Sequence, residues 1–169
     1  MTASVLVLMG VSGSGKTTIG EAVATRLGWP FLEGDALHPA ANVAKMSGGT
    51  PLTDEDRWPW LDAIRAWIDA RVTDGTHGVV ACSALRRGYR ERLGIGRNGV
   101  SVVVLHADRA LLIARLAARK GHFMPVTLLD SQLATLEMPD ADEHAIVVDI
   151  GGTPESVVDA VMRKLNSAR

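Results

Sequence analysis

The sequence has one cysteine, almost no net charge and no long apolar run. With Cys82 as the only cysteine in 169 residues, no disulfide can form within the chain, and we expect a reducing, cytoplasmic compartment. Eighteen Lys and Arg against nineteen Asp and Glu give a formal net charge of −1, so no nucleic-acid partner is expected. No apolar stretch approaches the roughly 18 residues of a membrane span. The run Val5–Met9 precedes the first basic residue, Lys16, the reverse of a secretory signal peptide.

Zinc-ligand spacing is also missing from the five His residues and Cys82. The hydrophobic content of 47% is too high for a disordered protein. Because 169 residues suit one domain, we predict a single domain over residues 1–169.

Short β-branched runs alternate along the chain with longer helical patterns. The strand candidates are apolar on both faces, which predicts an α/β fold with a five-stranded parallel sheet covered by helices. The predicted strands are Ser4–Met9, Pro30–Gly34, Gly78–Cys82, Ser101–His106 and Ala145–Asp149. The predicted helices are Lys16–Leu27, Pro39–Met46, Asp54–Thr73, Arg86–Leu93, Arg109–Arg119, Val126–Thr135 and Pro154–Leu165.

A glycine-rich loop joins the first predicted strand to the first predicted helix, and it fits the phosphate-loop pattern G-x-x-x-x-G-K-[ST]. Glycines let backbone N–H groups turn toward phosphate oxygens, and the helix N-terminus adds further donors. We expect Lys16 to reach the β- and γ-phosphates and the Thr17 hydroxyl to ligate Mg²⁺. The expected nucleotide-binding residues are Gly10, Val11, Ser12, Gly13, Ser14, Gly15, Lys16, Thr17 and Thr18.

A GTPase switch and a small kinase both use such a loop. The chain has no N-K-x-D guanine motif, and its one D-x-x-G, at Asp149, follows the last strand, so the kinase is favoured. Asp35 follows the second strand, where a carboxylate could take the proton of an attacking hydroxyl or orient Mg²⁺ through water. Alternatively, Asp35 caps the helix that begins near Pro39. His38 is either a hydrogen-bond partner of a substrate hydroxyl or a turn residue.

Cations cluster in two further places. Arg57 lies in the first turn of its helix, where either a bound anion or the neighbouring acidic residues would offset its charge. Arg86, Arg87 and Arg90 follow the third strand, where they suit recognition of carboxylate or phosphate, although a solvated helix face explains each equally well. We expect Ser83 to cap the helix that carries them.

Arg115 and Arg119 lie four residues apart on one helix face, before the stretch 120–125. This arrangement is typical of a mobile lid, here over approximately residues 119–128, that brings positive charge to the transferred phosphoryl group. A plain surface helix followed by a turn is the alternative.

Taken in order, these stretches resemble the gluconate kinases, small ATP-dependent sugar-acid kinases with a P-loop kinase fold. Shikimate kinases fit less well, because they carry D-x-D where this chain has Glu33-Gly34-Asp35. The resemblance rests on residues 9–18, 34–39 with Asn42, Lys45 and Met46, 49–57 with 59–61, 82–87 with Tyr89 and Arg90, 115–116 with 118–124, and Gln132 with 135–137.

The resemblance implies transfer of the ATP γ-phosphoryl group to the 6-hydroxyl of D-gluconate, with Mg²⁺, in a homodimer. It implies catalytic roles for Lys16, Asp35 and Arg119, and a nucleotide contact for Arg115. The alternatives are a kinase of another small hydroxy acid, such as shikimate, and a non-catalytic ATP-binding module. The implied substrate-binding residues are Asp35, His38, Lys45, Arg57, Ser83, Arg86, Arg87, Arg90 and His122.

Overall fold

A five-stranded parallel sheet forms the centre of the computed structural model, which describes residues 4–118 and 126–167. The strand order is β2-β3-β1-β4-β5, and β1 pairs Leu8 with Ala81 of β3 and Met9 with Val104 of β4. The predicted α/β fold is therefore confirmed. The strands are β1 (Val5–Met9), β2 (Phe31–Glu33), β3 (Gly78–Ala81), β4 (Val100–His106) and β5 (Ile146–Asp149).

Seven helices are described around this sheet within residues 4–118 and 126–167. Short 3-10 turns at Gly34–Leu37 and Ala141–Glu143 follow β2 and precede β5. Of the predicted lid, residues 119–125 lie outside the described residues, and 126–128 form the first turn of α6. The helices are α1 (Lys16–Leu27), α2 (Ala40–Ser47), α3 (Asp54–Asp74), α4 (Arg87–Leu93), α5 (Arg109–Ala118), α6 (Val126–Thr135) and α7 (Pro154–Ser167).

Alternate residues of β1 pack into two separate cores, one on each face of the sheet. Leu6 and Leu8 pack with residues of α1, α5 and α7, whereas Val5, Val7 and Met9 pack with residues of α3 and α4. All five β1 side chains are fully buried, as expected for the central strand of a sheet covered on both faces.

The N-terminus of α3 is fixed by a capping box. The Thr53 hydroxyl accepts a hydrogen bond from the Asp56 N–H at 3.2 Å, and the Asp56 carboxylate accepts one from the Thr53 N–H at 2.9 Å. Leu61, Ile64 and Ile68 then bury one helix face against the sheet. Among the described helices, none is both long enough and apolar enough to cross a membrane.

Since all five strands are parallel, their carboxyl ends lie at one edge of the sheet. The glycine loop follows β1, Asp35 follows β2 and Ser83 follows β3. The topology thus brings the glycine loop, Asp35 and Ser83 to a common edge, where ligands bind in open α/β sheets.

Candidate active site

The glycine loop between β1 and α1 has the backbone shape of an anion site. Gly13 has a φ of 85°, and a Cβ at this position would lie 3.1 Å from Leu116 Cγ, so both conformation and space require glycine. No side chain caps α1, and its first turn holds no acidic residue. The amides at this helix end are therefore suited to an anion such as phosphate.

Lys16 folds back along this loop. Its Nζ donates hydrogen bonds to the carbonyl oxygens of Gly10 at 2.9 Å and Val11 at 3.2 Å. The ammonium group is thereby held over the loop that the sequence predicts to bind phosphates.

Gln132 on α6 contacts the same loop, a role that the sequence analysis did not assign. Its Oε1 accepts a hydrogen bond from the Ser12 N–H at 2.7 Å. The two residues are 120 positions apart, so no local spacing signals this contact. This hydrogen bond connects α6, the helix that follows the predicted lid, to the phosphate loop.

Glu33 is a second residue that the sequence analysis left without a role. The Thr17 hydroxyl donates a hydrogen bond to Glu33 Oε2, and Glu33 Oε1 lies 3.4 Å from the Asp35 nitrogen. Hydroxyl and carboxylate oxygens suit Mg²⁺, which is commonly held by one or two protein groups together with substrate phosphates. No group of three or more His, Cys, Asp or Glu side chains that could hold a metal ion exists in residues 4–118 and 126–167.

Asp35 lies in the 3-10 turn after β2, and its side chain is exposed. The capping role considered for it is wrong, because Glu33 caps this turn, while Pro39 is the N-cap residue of α2 without a side-chain hydrogen bond. The Asp35 carboxylate accepts no hydrogen bond from any residue in the described ranges. It is therefore available to a ligand as a hydrogen-bond acceptor.

His38 stacks on Trp60, with ring centroids 4.1 Å apart and an interplanar angle of 17°. The Trp60 indole is fixed in turn, because its Nε1 donates to the Gly34 carbonyl at 2.8 Å. Burial lowers the pKa of His38, Arg57 lowers it further, and the nearby Asp35 carboxylate opposes them. At neutral pH the ring is thus an uncharged hydrogen-bonding group.

Lys45 and Arg57, the other predicted cations near the segment after β2, already make contacts within the fold. Lys45 Nζ donates to Asp56 Oδ2 at 2.7 Å, and this bond, with hydrogen bonds from Thr53, lowers the pKa of Asp56 to about 2. Arg57 Nη1 donates to the Leu52 carbonyl at 2.8 Å and lies 3.7 Å from Asp54 Oδ1. Asp54 offsets part of the Arg57 charge, and the remaining guanidinium hydrogens are still available.

Of the three arginines after β3, Arg90 serves the fold. Its side chain is 1% exposed, and it donates to Glu143 Oε1 at 2.7 Å and to the Ala84 carbonyl at 2.8 Å. Burial alone would raise the pKa of Glu143, but hydrogen bonds from Arg90 and the Asp140 backbone bring it below its usual range. The expectation that Arg90 binds substrate is corrected, because its charge is already neutralised in the interior.

Arg87 and Arg86 differ from each other. Arg87 pairs with Glu91, Asp140 and Asp142 at 2.5–3.1 Å, and these carboxylates raise its pKa. The exposed Arg86 guanidinium makes no hydrogen bond or ion pair with any residue in the described parts of the chain. Arg86 alone of the three offers an unengaged guanidinium.

Ser83 is not the N-cap of α4, which corrects that prediction. The chain passes through Ala84 with a left-handed φ of 48°, and α4 begins only at Arg87, with Arg86 as its N-cap residue. Ser83 remains half-buried at the end of β3.

Arg115 on α5 donates hydrogen bonds to the carbonyl oxygens of Ile150 and Gly152, the latter at 3.1 Å. It therefore joins α5 to the loop after β5. The predicted site residues Arg119 and His122 lie outside the described residues.

Known proteins of similar sequence and structure indicate the family to which the chain belongs. A family model described as "AAA domain" matches residues 5–139. Gluconokinase from Gluconobacter oxydans is 51% identical over 158 residues, which cover 94% of this chain and 89% of that protein. A crystal structure of a gluconokinase from Sinorhizobium meliloti matches with a TM-score of 0.89 and 45% identity, over 98% of this chain and 93% of that one. Shikimate kinase from Acinetobacter baumannii shares the fold alone, with a TM-score of 0.64 and 19% identity over 99% of this chain and 96% of that one.

Proposed function

This chain belongs to the gluconokinase family, and from that premise we propose that it transfers the γ-phosphoryl group of ATP to the 6-hydroxyl of D-gluconate, giving 6-phospho-D-gluconate and ADP. One observation in this chain supports the proposal independently of its family membership. The Asp35 carboxylate, which accepts no hydrogen bond from the described residues, lies at the same sheet edge as the phosphate loop and the unengaged cation of Arg86. A sugar acid needs these groups, because it presents hydroxyl protons and a carboxylate.

The phosphate loop would bind the ATP phosphates through its backbone N–H groups and Lys16 Nζ. Bound Mg²⁺ neutralises phosphate charge during transfer, and the Thr17 hydroxyl with the Glu33 carboxylate would hold it. Arg115, through its contact with the loop after β5, would position the nucleotide.

Asp35 would accept the proton of the attacking 6-hydroxyl. Its exposure and its lack of a hydrogen-bond donor in the described structure suit an acceptor that meets its partner only when substrate binds. This proton transfer would give Asp35, which directly follows β2, a catalytic role.

The gluconate carboxylate would be bound by Arg86 and Arg57, since each retains guanidinium hydrogens for a bidentate contact. His38, Lys45 and Ser83 would contact the polyol. Arg119 and His122 remain predicted lid contacts. The single domain over residues 1–169, the homodimer and the cytoplasmic location also remain proposals.

A coupled assay of ADP release tests this function, with purified protein, ATP, Mg²⁺ and a panel that contains D-gluconate, shikimate and other sugar acids. We expect turnover to depend on gluconate and on Mg²⁺. Equal turnover with shikimate would reject the substrate assignment. ATP binding without acid-dependent ADP release would identify a non-catalytic module.

A further inference from the structure

Asn42 lies on α2, four residues after His38, and is only 4% exposed. Its Nδ2 lies 2.9 Å from the carbonyl oxygen of Asp56 and 3.2 Å from Nδ1 of His38. Because a carbonyl oxygen can only accept, the side-chain atom facing it has to be the amide nitrogen. Each of the two hydrogens on this nitrogen then has one acceptor.

This arrangement determines where the His38 ring carries its proton. Nδ1 has to accept the second amide hydrogen, so the single proton of the neutral ring is on Nε2. Turning the ring over would place a carbon atom against the amide, which cannot accept a hydrogen bond. The contact with Asn42 therefore selects both the ring orientation and the tautomer.

The opposite side of the ring is open. Nε2 of His38 has no hydrogen-bond partner among residues 4–118 and 126–167. It is also not one of the polar atoms buried without a partner in that part of the chain, which are Ser14 Oγ, Arg71 Nε and His77 Nδ1. Nε2 is therefore an accessible donor, held in place by the stacked Trp60 ring.

Building on the proposed function, we propose that Asn42 is a positioning residue that holds His38 in its Nε2–H tautomer, so that His38 donates a hydrogen bond to a gluconate hydroxyl oxygen beside Asp35. A hydroxyl oxygen that accepts from His38 directs its own proton elsewhere, and the unengaged Asp35 carboxylate is the nearby acceptor. In the other tautomer Nε2 would itself be an acceptor and would compete with Asp35 for that proton.

The ring tautomer can be measured without any substrate. The ¹⁵N shifts of the His38 ring report which nitrogen is protonated, and the signals that disappear in His38→Gln identify this ring among the five histidines. We expect Nε2–H with an unprotonated Nδ1 in the ligand-free wild-type protein near pH 8. An Nδ1–H ring, or a mixture of tautomers, would overturn the proposal without relying on any variant at Asn42.

Asn42→Asp replaces the amide donor next to Nδ1 of His38 with a carboxylate, which can only accept a hydrogen bond. We expect the His38 proton to move to Nδ1, while Asn166→Asp, a matched change at an exposed position of α7, leaves the ring signals unchanged. An unaltered His38 tautomer in folded Asn42→Asp would count against the proposal.

Kinetics separate positioning from a purely structural role. We expect the KM for gluconate to rise roughly tenfold in Asn42→Asp, with little change in the KM for ATP, because one substrate hydrogen bond is lost. His38→Gln, whose amide can stand in for the Nε2–H group, should retain more activity than His38→Asn. Equal increases in both KM values would indicate general damage and reject the role.

The pH profile gives an independent test. The charged groups that act on His38 are Asp35 on its own segment and Arg57 on α3, while the carboxylate of the adjoining Asp56 is paired with Lys45. Protonation of Nδ1 ends its acceptance from Asn42 but leaves Nε2–H in place, whereas in Asn42→Asp protonation returns the Nε2–H that the variant has lost. The KM for gluconate of Asn42→Asp should therefore approach that of the wild-type protein as the pH falls. A ratio of the two KM values that does not change with pH would contradict the proposal. If the wild-type protein does not phosphorylate gluconate, the proposed function is rejected. The tautomer measurement does not depend on activity, so it still tests whether Asn42 controls the protonation of the His38 ring.

Discussion

The segments that follow β2 and β3 both bring polar side chains to the carboxyl edge of the sheet, but they leave them in different states. After β2, the Asp35 carboxylate and Nε2 of His38 have no partners in the described parts of the chain. After β3, Arg87 and Arg90 are occupied by carboxylates of residues 140–143. A position at a strand end is therefore not sufficient for binding. A side chain can bind a ligand only where contacts within the fold leave one of its hydrogen-bond donors or acceptors unpaired.

The largest expected effect lies on the β3 side. Arg90→Ala would leave the Glu143 carboxylate, whose side chain is 9% exposed, without its buried partner. Removing one member of a buried pair typically costs about 3–5 kcal/mol, so we expect a loss of that order in the free energy of unfolding, measured in urea. Arg86→Ala, at the exposed position four residues earlier, should change it by less than about 0.5 kcal/mol. Similar losses in both variants would remove the distinction between the two arginines.

On the β2 side the largest effect should be catalytic. Asp35→Asn should lower kcat at least about 100-fold with ATP binding nearly unchanged, because loss of a general base typically costs 10²–10⁴ in rate. Single-turnover phosphoryl transfer and nucleotide titration measure the two quantities. Asp74→Asn, at an exposed position near the end of α3, is the control. Near-normal turnover in Asp35→Asn would show that the free carboxylate is not the base.

A smaller effect, on the KM for gluconate, should distinguish Arg86, the N-cap residue of α4, from Arg92 within that helix. Arg86→Ala should raise the KM for gluconate about tenfold and leave the KM for ATP unchanged, because a hydrogen bond to a charged group is worth about 1.5–3 kcal/mol. Arg92→Ala removes an exposed arginine of α4 that is already paired with Asp62, and it should change neither KM. A larger change in the KM for ATP would place Arg86 on the nucleotide side of the crevice.

The smallest expected effect concerns acid stability near the β2 side. Because the Lys45 hydrogen bond lowers the pKa of Asp56 to about 2, the folded state favours ionised Asp56. The stabilisation is complete above about pH 4, the usual range of an aspartate pKa, and is lost as the pH falls toward 2. Urea midpoints at pH 5 and pH 2.5 should therefore differ less in Asp56→Asn than in the wild-type protein. An unchanged difference would mean that this ion pair does not respond to pH.

The sequence predicted the elements whose signals are local. The phosphate loop lies within a single strand–turn–helix unit, so it was found where expected. The role of Arg90 could not be predicted, because its partner Glu143 is 53 positions away. Ser83 failed as a cap because the chain adopts a left-handed turn at Ala84, and an alanine at that position gives no warning of it.

The hydrogen bond from the Ser12 N–H to Gln132 gives the phosphate loop a reporter on a distant helix. The side-chain amide of Gln132 senses the electronic environment of this backbone N–H directly. Its NMR signal should therefore shift when phosphates fill the loop. Occupancy of the loop can thus be followed from α6, without placing a label among the residues that bind the nucleotide.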